Sequence, residues 1–211
     1  MKQFLNILLC LVIINGISAQ GITKYGASTT SSTNFINSNG KIGSNPRLSK
    51  NGQKILNIGD SYQGGIIAYI FQAGDPGYMA GETHGLIAAP SDQNSTTWWG
   101  CPIYGETTGT AIGAGATNTT TIVSESCASP EMAARLCSDF VSGGYNDWFL
   151  PSKDELNKLY INIALIGGFN TFRYWSSSNN GMGAWEQNFS NGSQAQVDRH
   201  TQNYVRPVRA F

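Results

Sequence analysis

Trp148-Phe149-Leu150-Pro151-Ser152-Lys153-Asp154-Glu155-Leu156 is the stretch that decides how this chain folds. An apolar frame runs into Pro151, and Ser152 with Glu155 three residues later forms a capping box that starts a helix. Leu156, Leu159, Tyr160 and Ile163 follow at helical spacing as one buried stripe, and Gly167-Gly168 ends it. Upstream, Ser129 as N-cap and Pro130 at the first helical position open another helix. Met132, Ala133, Leu136, Cys137 and Phe140 form its apolar face, with Gly143-Gly144 as the stop.

Strands flank these helices on both sides. Gly65 to Phe71 is a β-branched and aromatic run that suits a central strand, and Gly85 to Ala89, stopped by Pro90, is a second. Between them Gly74-Asp75-Pro76-Gly77 is a turn by residue type. The next forty residues, with Trp98-Trp99 and the Gly/Thr-rich stretch Gly105 to Thr121, are expected as long ordered loops. Beyond the helices, Trp185, Gln187 and Phe189 alternate with Glu186 and Asn188, which predicts one largely apolar and one polar face. Asn191-Gly192 is a hairpin turn signal, and Gln194, Gln196 and Asp198 alternate with Ala195 and Val197 on the return strand. Tyr204 to Phe211 closes the chain as one long strand, with Pro207 at an edge or bulge. Strand, strand, loops, helix, helix, hairpin, strand is an α+β order. It predicts a mixed or antiparallel sheet, two helices and long ordered loops, with the two ends of the domain in one sheet.

The first residues set the compartment. Lys2, the apolar run Phe4 to Ile14 and the small residues up to Ala19 predict a signal peptide over 1–19. A lipoprotein would need Cys10 as its acylated residue, but Cys10 lies inside the apolar run. Residues 20–57, rich in Ser, Thr, Asn and Gly, make an arm or linker, and 58–211 the folded domain. Thirteen basic and 13 acidic residues, with no basic cluster, argue against nucleic acid and against anionic membrane surfaces. No later segment is apolar enough for membrane insertion, so an exported, extracellular or cell-surface chain is expected. Cys101, Cys127 and Cys137 follow the leader. In an oxidising compartment one disulfide and one remaining thiol is the simplest count. Cys137, on a helix's apolar face, suits a buried free thiol, which favours Cys101–Cys127 as the pair.

From Ser176 to Asn203 the chain is mostly Asn, Gln, Ser and Gly, yet keeps Trp185 and Phe189 as anchors. A polar window on a fixed frame suits recognition better than catalysis. Its expected outward residues are Asn179, Asn180, Met182, Glu186, Asn188, Gln194, Gln196, Asp198, Arg199, His200, Gln202 and Asn203. Amides and carboxylates on rigid strands can satisfy sugar hydroxyls. Trp148, Trp175 and Trp185 are expected to be structural. So are Arg206 and Arg209, at least one of them in an ion pair with Asp147, Asp154 or Glu155.

Ile58-Gly59-Asp60-Ser61-Tyr62, His84 to Pro90, Asp147 to Ser152 with Glu155-Leu156, Tyr174-Trp175-Ser176-Ser177-Ser178 and the Tyr204 to Phe211 ending together resemble the Lcl C-terminal domain family. That domain closes certain bacterial collagen-like adhesins and is also found alone in secreted proteins. The resemblance covers roughly residues 57–211. It implies a C-type-lectin-like fold in which the first and last strands pair and a loop-rich half presents ligand contacts. It also implies adhesion to a surface glycan or a cell-surface protein. The runner-up is an assembly role, in which the domain forms a homotrimer or caps a surface complex.

The family is similar to variable proteins of diversity-generating retroelements, whose altered stretch would correspond to Asn179 to Asn203 here. The absence of Tyr between Tyr174 and Tyr204 counts against such diversification. No cofactor is expected. Calcium is the one candidate a lectin-like fold raises, but no Glu-Pro-Asn or Trp-Asn-Asp motif is present, and Asp147 is expected to pair locally. His84 is expected to be a satisfied structural residue. No nucleophile elbow, phosphate loop or paired zinc histidines occur. Formylglycine-generating enzymes share the lectin-like fold and a similar Leu-Pro-Thr-x-x-Glu turn. Their chemistry needs a C-terminal cysteine pair, and no Cys follows Cys137. The chain is therefore expected not to be an enzyme.

Overall fold

The structure, a computed structural model, describes residues 54–100, 107–125 and 129–211, together with the strands Asn34–Ile36 (β1) and Ile42–Ser44 (β2). The chain divides into two units, Met1–Ile55 and Leu56–Phe211. In the first, β1 and β2 pair antiparallel. The leader expected at 1–19 lies outside the described residues, as do Cys101 and Cys127 and most of the arm expected at 20–57.

The second unit is α+β and holds two sheets. One contains β3 (Ser61–Tyr62), β4 (Gly65–Ile70), β5 (Gly85–Ala88) and β11 (Val208–Ala210) in the order β11-β5-β4-β3, all antiparallel. The other contains β6 (Asn94–Thr97), β7 (Arg173–Asn179), β8 (Ala184–Asn188), β9 (Gln194–Val197) and β10 (Asn203–Val205) in the order β6-β10-β7-β8-β9. It is mixed, because β10 runs parallel to β7. The helices are α1 (Gly115–Ser124), α2 (Ala133–Ser138), α3 (Lys153–Ile161) and α4 (Ile163–Ile166).

The two ends of the unit do share a sheet, but the closing strand pairs with β5 and not with the first strand. Nor is Tyr204 to Phe211 one long strand. It breaks at Arg206-Pro207 into β10 and β11, which belong to different sheets. Pro207 has no N–H for a ladder, while its carbonyl accepts the Ala89 N–H at 2.8 Å. One short segment thereby ties both sheets together.

Arg206 and Arg209 fix that tie from inside. Arg206, 1 % exposed, donates from Nε to Asp92 at 2.7 Å and from Nη1 to the Ala89 carbonyl at 3.0 Å. It also donates to the Gly168 carbonyl and lies 4.1 Å over the Phe169 ring. Asp92, half-buried, was not among its expected partners, because nothing in Ser91-Asp92-Gln93 marks it as facing a buried guanidinium. Arg209 meets the expectation: its Nε and Nη2 grip both oxygens of Asp147 at 2.6 and 2.8 Å. That grip holds the Asp147 carboxyl below its ordinary value. Asp154 pairs instead with Lys153, and Glu155 takes backbone N–H donors.

The capping box forms as the sequence requires. Ser152 Oγ accepts the Glu155 N–H at 3.3 Å, and Glu155 returns the contact to the Ser152 N–H at 2.7 Å. Leu156 and Leu159 go to the core with Tyr174, Phe189 and Leu86. Burying each contributes about 1.5–3 kcal/mol. The helix does not continue unbroken to Gly167. Asn162 interrupts it by donating its side-chain amide to the Ala68 and Lys158 carbonyls, both at 3.0 Å.

Two elements depart further from expectation. The upstream helix starts at Ala133 with Met132 at its cap, and ends at Ser138. Ser129 and Pro130 sit in the turn before it, where the Ser129 carbonyl accepts the Met132 N–H at 3.2 Å. Gly143-Gly144 belongs to the Ser142–Tyr145 turn and not to the helix end. The stretch expected as loop contains both β6 and α1. α1 has no apolar stripe to reveal it: its buried face is Gly115, Asn118, Thr119 and Ile122. Thr119, Thr120 and Thr121 each donate to the carbonyl four residues back, at 2.8, 3.1 and 3.0 Å. Gly115 is required by crowding, since a Cβ there would strike a Glu155 carboxylate oxygen and the Phe149 ring.

Candidate functional site

The polar window does not form one displayed surface; much of it is interior. Ser176, Ser177 and Ser178 are fully buried in β7. Between Trp175 and Asn179 that strand leaves the register of β8 and bonds elsewhere. The Ser177 N–H goes to the Pro151 carbonyl at 2.7 Å, and Ser178 Oγ to the Gly109 carbonyl at 2.7 Å. Thr108 Oγ1 donates to the Ser177 carbonyl at 2.6 Å, and the Asn118 amide to Ser177 Oγ at 3.1 Å. Each buried serine is thus satisfied, as interior polar groups must be. The indoles of Trp99 and Trp175 donate to the Ser176 and Thr97 carbonyls, both at 2.7 Å. Trp148 is likewise buried and donates to the Tyr145 carbonyl at 3.0 Å.

Several residues expected to face outward are instead buried: Asn179, Glu186, Arg199 and Asn203. The expected alternation on β8 fails because both its faces are covered. Gln187 points towards α3 and donates to Asn157 at 2.8 Å, while Glu186, on the opposite face, holds Arg173 and Asn203. Asn179 accepts the Gly181 N–H at 2.8 Å and an Arg199 donor at 3.2 Å. Arg199 stacks 5.2 Å over Trp99. Gln194 is half-buried, and its amide donates to the Lys153 carbonyl at 2.9 Å, which docks the hairpin on the start of α3. Trp185 is half-buried under the Lys153 ammonium, 5.6 Å away, and Phe189 is in the core. The Asn191-Gly192 turn forms as expected, with Gly192 at φ +79°.

The remaining window residues lie in three places. Asn180, Met182 and Gln196 mark the tip between β7 and β8. There the Asn180 carboxamide accepts the Met182 and Gly183 N–H groups at 3.1 and 3.0 Å and donates to Gln196 at 2.7 Å. Asp198 and His200 follow β9. Asp198 accepts the His200 backbone and ring at 2.8 and 2.9 Å, and His200 lies parallel to Trp98. These hydrogen bonds hold the Asp198 carboxyl below its ordinary value. Asn188, Gln202 and Asn203 meet at an open groove.

That groove has a volume of about 370 Å³, and its other walls come from outside the window. Phe172 and Tyr204 stack within it, ring centres 5.5 Å apart and planes 3° from parallel. Phe172 is 59 % exposed, so the outer face of its ring is open. Arg173 is beside it with its side chain 53 % exposed, and Thr96 adds a hydroxyl. Sequence reasoning missed Phe172, Arg173 and Tyr204. Phe172-Arg173 immediately precedes Tyr174-Trp175, outside the polar window, and nothing in that local pattern distinguishes an exposed aromatic from a buried one.

His84 is satisfied by the Phe211 carbonyl and Glu82 at 3.1 and 3.0 Å, as expected of a structural histidine. Cys137 is a free buried thiol, its pKa pushed up by burial. Burial also raises the Glu155 carboxyl, a shift that the N–H groups of Ser152 and Gly113 oppose. Among the described residues no group of three or more His, Cys, Asp or Glu could hold a metal ion. No helix among them is long and apolar enough to cross a membrane.

Fold and groove define an α+β domain of two sheets, tied by a closing segment, with one open aromatic groove at the end of the mixed sheet. The sequence model of the Lcl C-terminal domain matches residues 90–209, more than half of the chain, and the chain belongs to that family. No curated protein matches the chain significantly.

Proposed function

We propose that this domain is an exported, non-enzymatic recognition module that binds a surface glycan in the Phe172–Tyr204 groove. The observation that carries the reading is the exposed Phe172 ring beside Arg173, Asn188 and Gln202. An aromatic face supplies apolar contact whose negative quadrupole attracts the C–H face of a sugar ring. Amides and a guanidinium around it supply donors and acceptors for the hydroxyls. Export rests on the leader expected at 1–19, and the lectin-like character of the fold on the family resemblance. The test is a glycan array probed with the full chain and with Phe172→Ala. Binding that Phe172→Ala abolishes supports the reading; binding that Phe172→Ala leaves intact contradicts the groove.

Self-association is the second reading, and one observation favours it. Ile161 and Leu165, four residues apart across the α3–α4 junction, are 63 % and 61 % exposed. An apolar pair so open suits a protein contact. Concentration-dependent trimers that Ile161→Lys disperses, with no glycan bound, would favour assembly over recognition.

A further inference from the structure

Glu186 lies under the groove at 2 % exposure, and its two carboxylate oxygens are divided between two groove residues. One accepts Arg173 Nη1, and the other accepts the Asn203 amide at 2.8 Å. Both donors line the groove, where Arg173 is the one charged residue among the described lining side chains. The groove therefore shows a guanidinium whose charge is already matched from beneath.

This arrangement has a consequence for selectivity. A carboxylate or sulfate at the free edge of Arg173 meets a pair whose net charge is zero, with Glu186 opposing it from beneath, so its lost hydration is poorly offset. Drawing Arg173 off Glu186 would also strip a partner from a buried charge. Removing one member of a buried pair is far more costly than an exposed contact can return. A neutral hydroxyl uses the free edge of Arg173 without disturbing Glu186, because a guanidinium carries five N–H donors. An uncharged ring also suits the open face of Phe172, where an added anion would meet the negative quadrupole.

We infer that the groove selects uncharged, hydroxyl-rich ligands, pyranosides that lay an apolar C–H face on Phe172, and that Glu186 is the positioning residue that sets this selectivity by neutralising Arg173 and fixing Asn203. The inference rests on the glycan reading above and names the ligand class for the same groove. Glu186 touches no ligand; it acts through Arg173 and Asn203. The window's one buried acid thereby becomes a determinant of what the exposed residues accept.

The experiment measures binding of the full chain to immobilised oligosaccharides in matched pairs, each neutral hexoside beside its C6-oxidised hexuronate. The wild-type chain is expected to favour the neutral member by about tenfold or more, which corresponds to roughly 1.4 kcal/mol. Glu186→Gln keeps an acceptor for Asn203 but frees the charge of Arg173. The ratio should then move about tenfold towards the uronate, and Glu186→Gln/Arg173→Gln should restore the neutral preference. A role confined to folding would lower both affinities together and leave their ratio unchanged, which would overturn the inference. So would a wild-type chain that holds the uronate as well as or better than the hexoside. Should Glu186→Gln not fold, the salt dependence of the wild-type chain decides. Uronate affinity that stays below the hexoside's and changes little as salt is lowered supports the inference, and uronate affinity that rises above the hexoside's at low salt overturns it. Failure of every sugar to bind removes the glycan reading itself, a result distinct from a reversed preference.

Discussion

Ser176-Ser177-Ser178-Asn179 and Phe172-Arg173 stand next to each other in one strand and its approach, and they exchange the places their chemistry suggests. The four polar residues are buried, while the aromatic ring and the guanidinium are open to solvent. The serines can be interior because neighbouring backbone meets them: the carbonyls of Gly109 and Trp185 accept from Ser178 and Ser176 at 2.7 and 2.8 Å. Phe172 can be exterior because Tyr204 covers its inner face. Exposure here is set by which groups find partners, and polarity alone misassigns both regions.

The largest effect is expected on the buried side. Trp175→Ala removes a fully buried indole and leaves the Thr97 carbonyl without its 2.7 Å donor. It should lower unfolding free energy by about 3–5 kcal/mol in denaturant titration. Gly115→Ala comes next, because its new Cβ meets Phe149 ring carbons at 2.8 and 2.9 Å and a Glu155 oxygen. A loss of about 1–3 kcal/mol is expected from forced repacking. If Gly115→Ala were neutral, the loop before α1 would not be pressed onto the capping box.

A smaller, pH-dependent effect belongs to the closing strand. Arg209 holds Asp147 below its ordinary value of 3.8, so in acid the unfolded chain takes up a proton that the folded chain refuses. That contribution is whole above about 3.8 and is lost as pH falls through the folded value. Melting temperature should fall in that window, and Asp147→Asn should remove this part of the slope. The smallest effect on stability is expected at Phe172→Ala, within about 0.5 kcal/mol of the parent, because the ring is mostly solvated. Together with lost glycan binding, that near-neutrality would sharpen the contrast. A large loss of stability would instead make Phe172 a structural residue.

The sequence made much of this visible, wherever a local rule was strong. The capping box at Ser152–Glu155, the strands β4 and β5 and the Asn191-Gly192 turn all follow from short-range patterns, and charge alone narrowed the partner of Arg209 to three carboxylates, of which Asp147 is the one it meets. What stayed hidden depends on distant partners. α1 buries Asn118 and Thr119 in place of an apolar stripe, because Gly109, Leu150 and Ser177 supply their hydrogen bonds. Glu186 was expected outside, because nothing near it in sequence announces that Arg173 and Asn203 will meet it. The groove joins residues from β6, β7, β8 and β10 with the segment before β7, a set that no local spacing brings together.

Mapping amide chemical-shift changes on the isotope-labelled chain during titration with the tightest sugar from the array tests the central claim most directly. The account predicts that the shifts gather at Thr171, Phe172, Arg173, Asn188, Gln202 and Tyr204, with Ser176 to Ser178 nearly still. Shifts gathered instead at Asn180, Met182 and Gln196, with the groove unmoved, would contradict it.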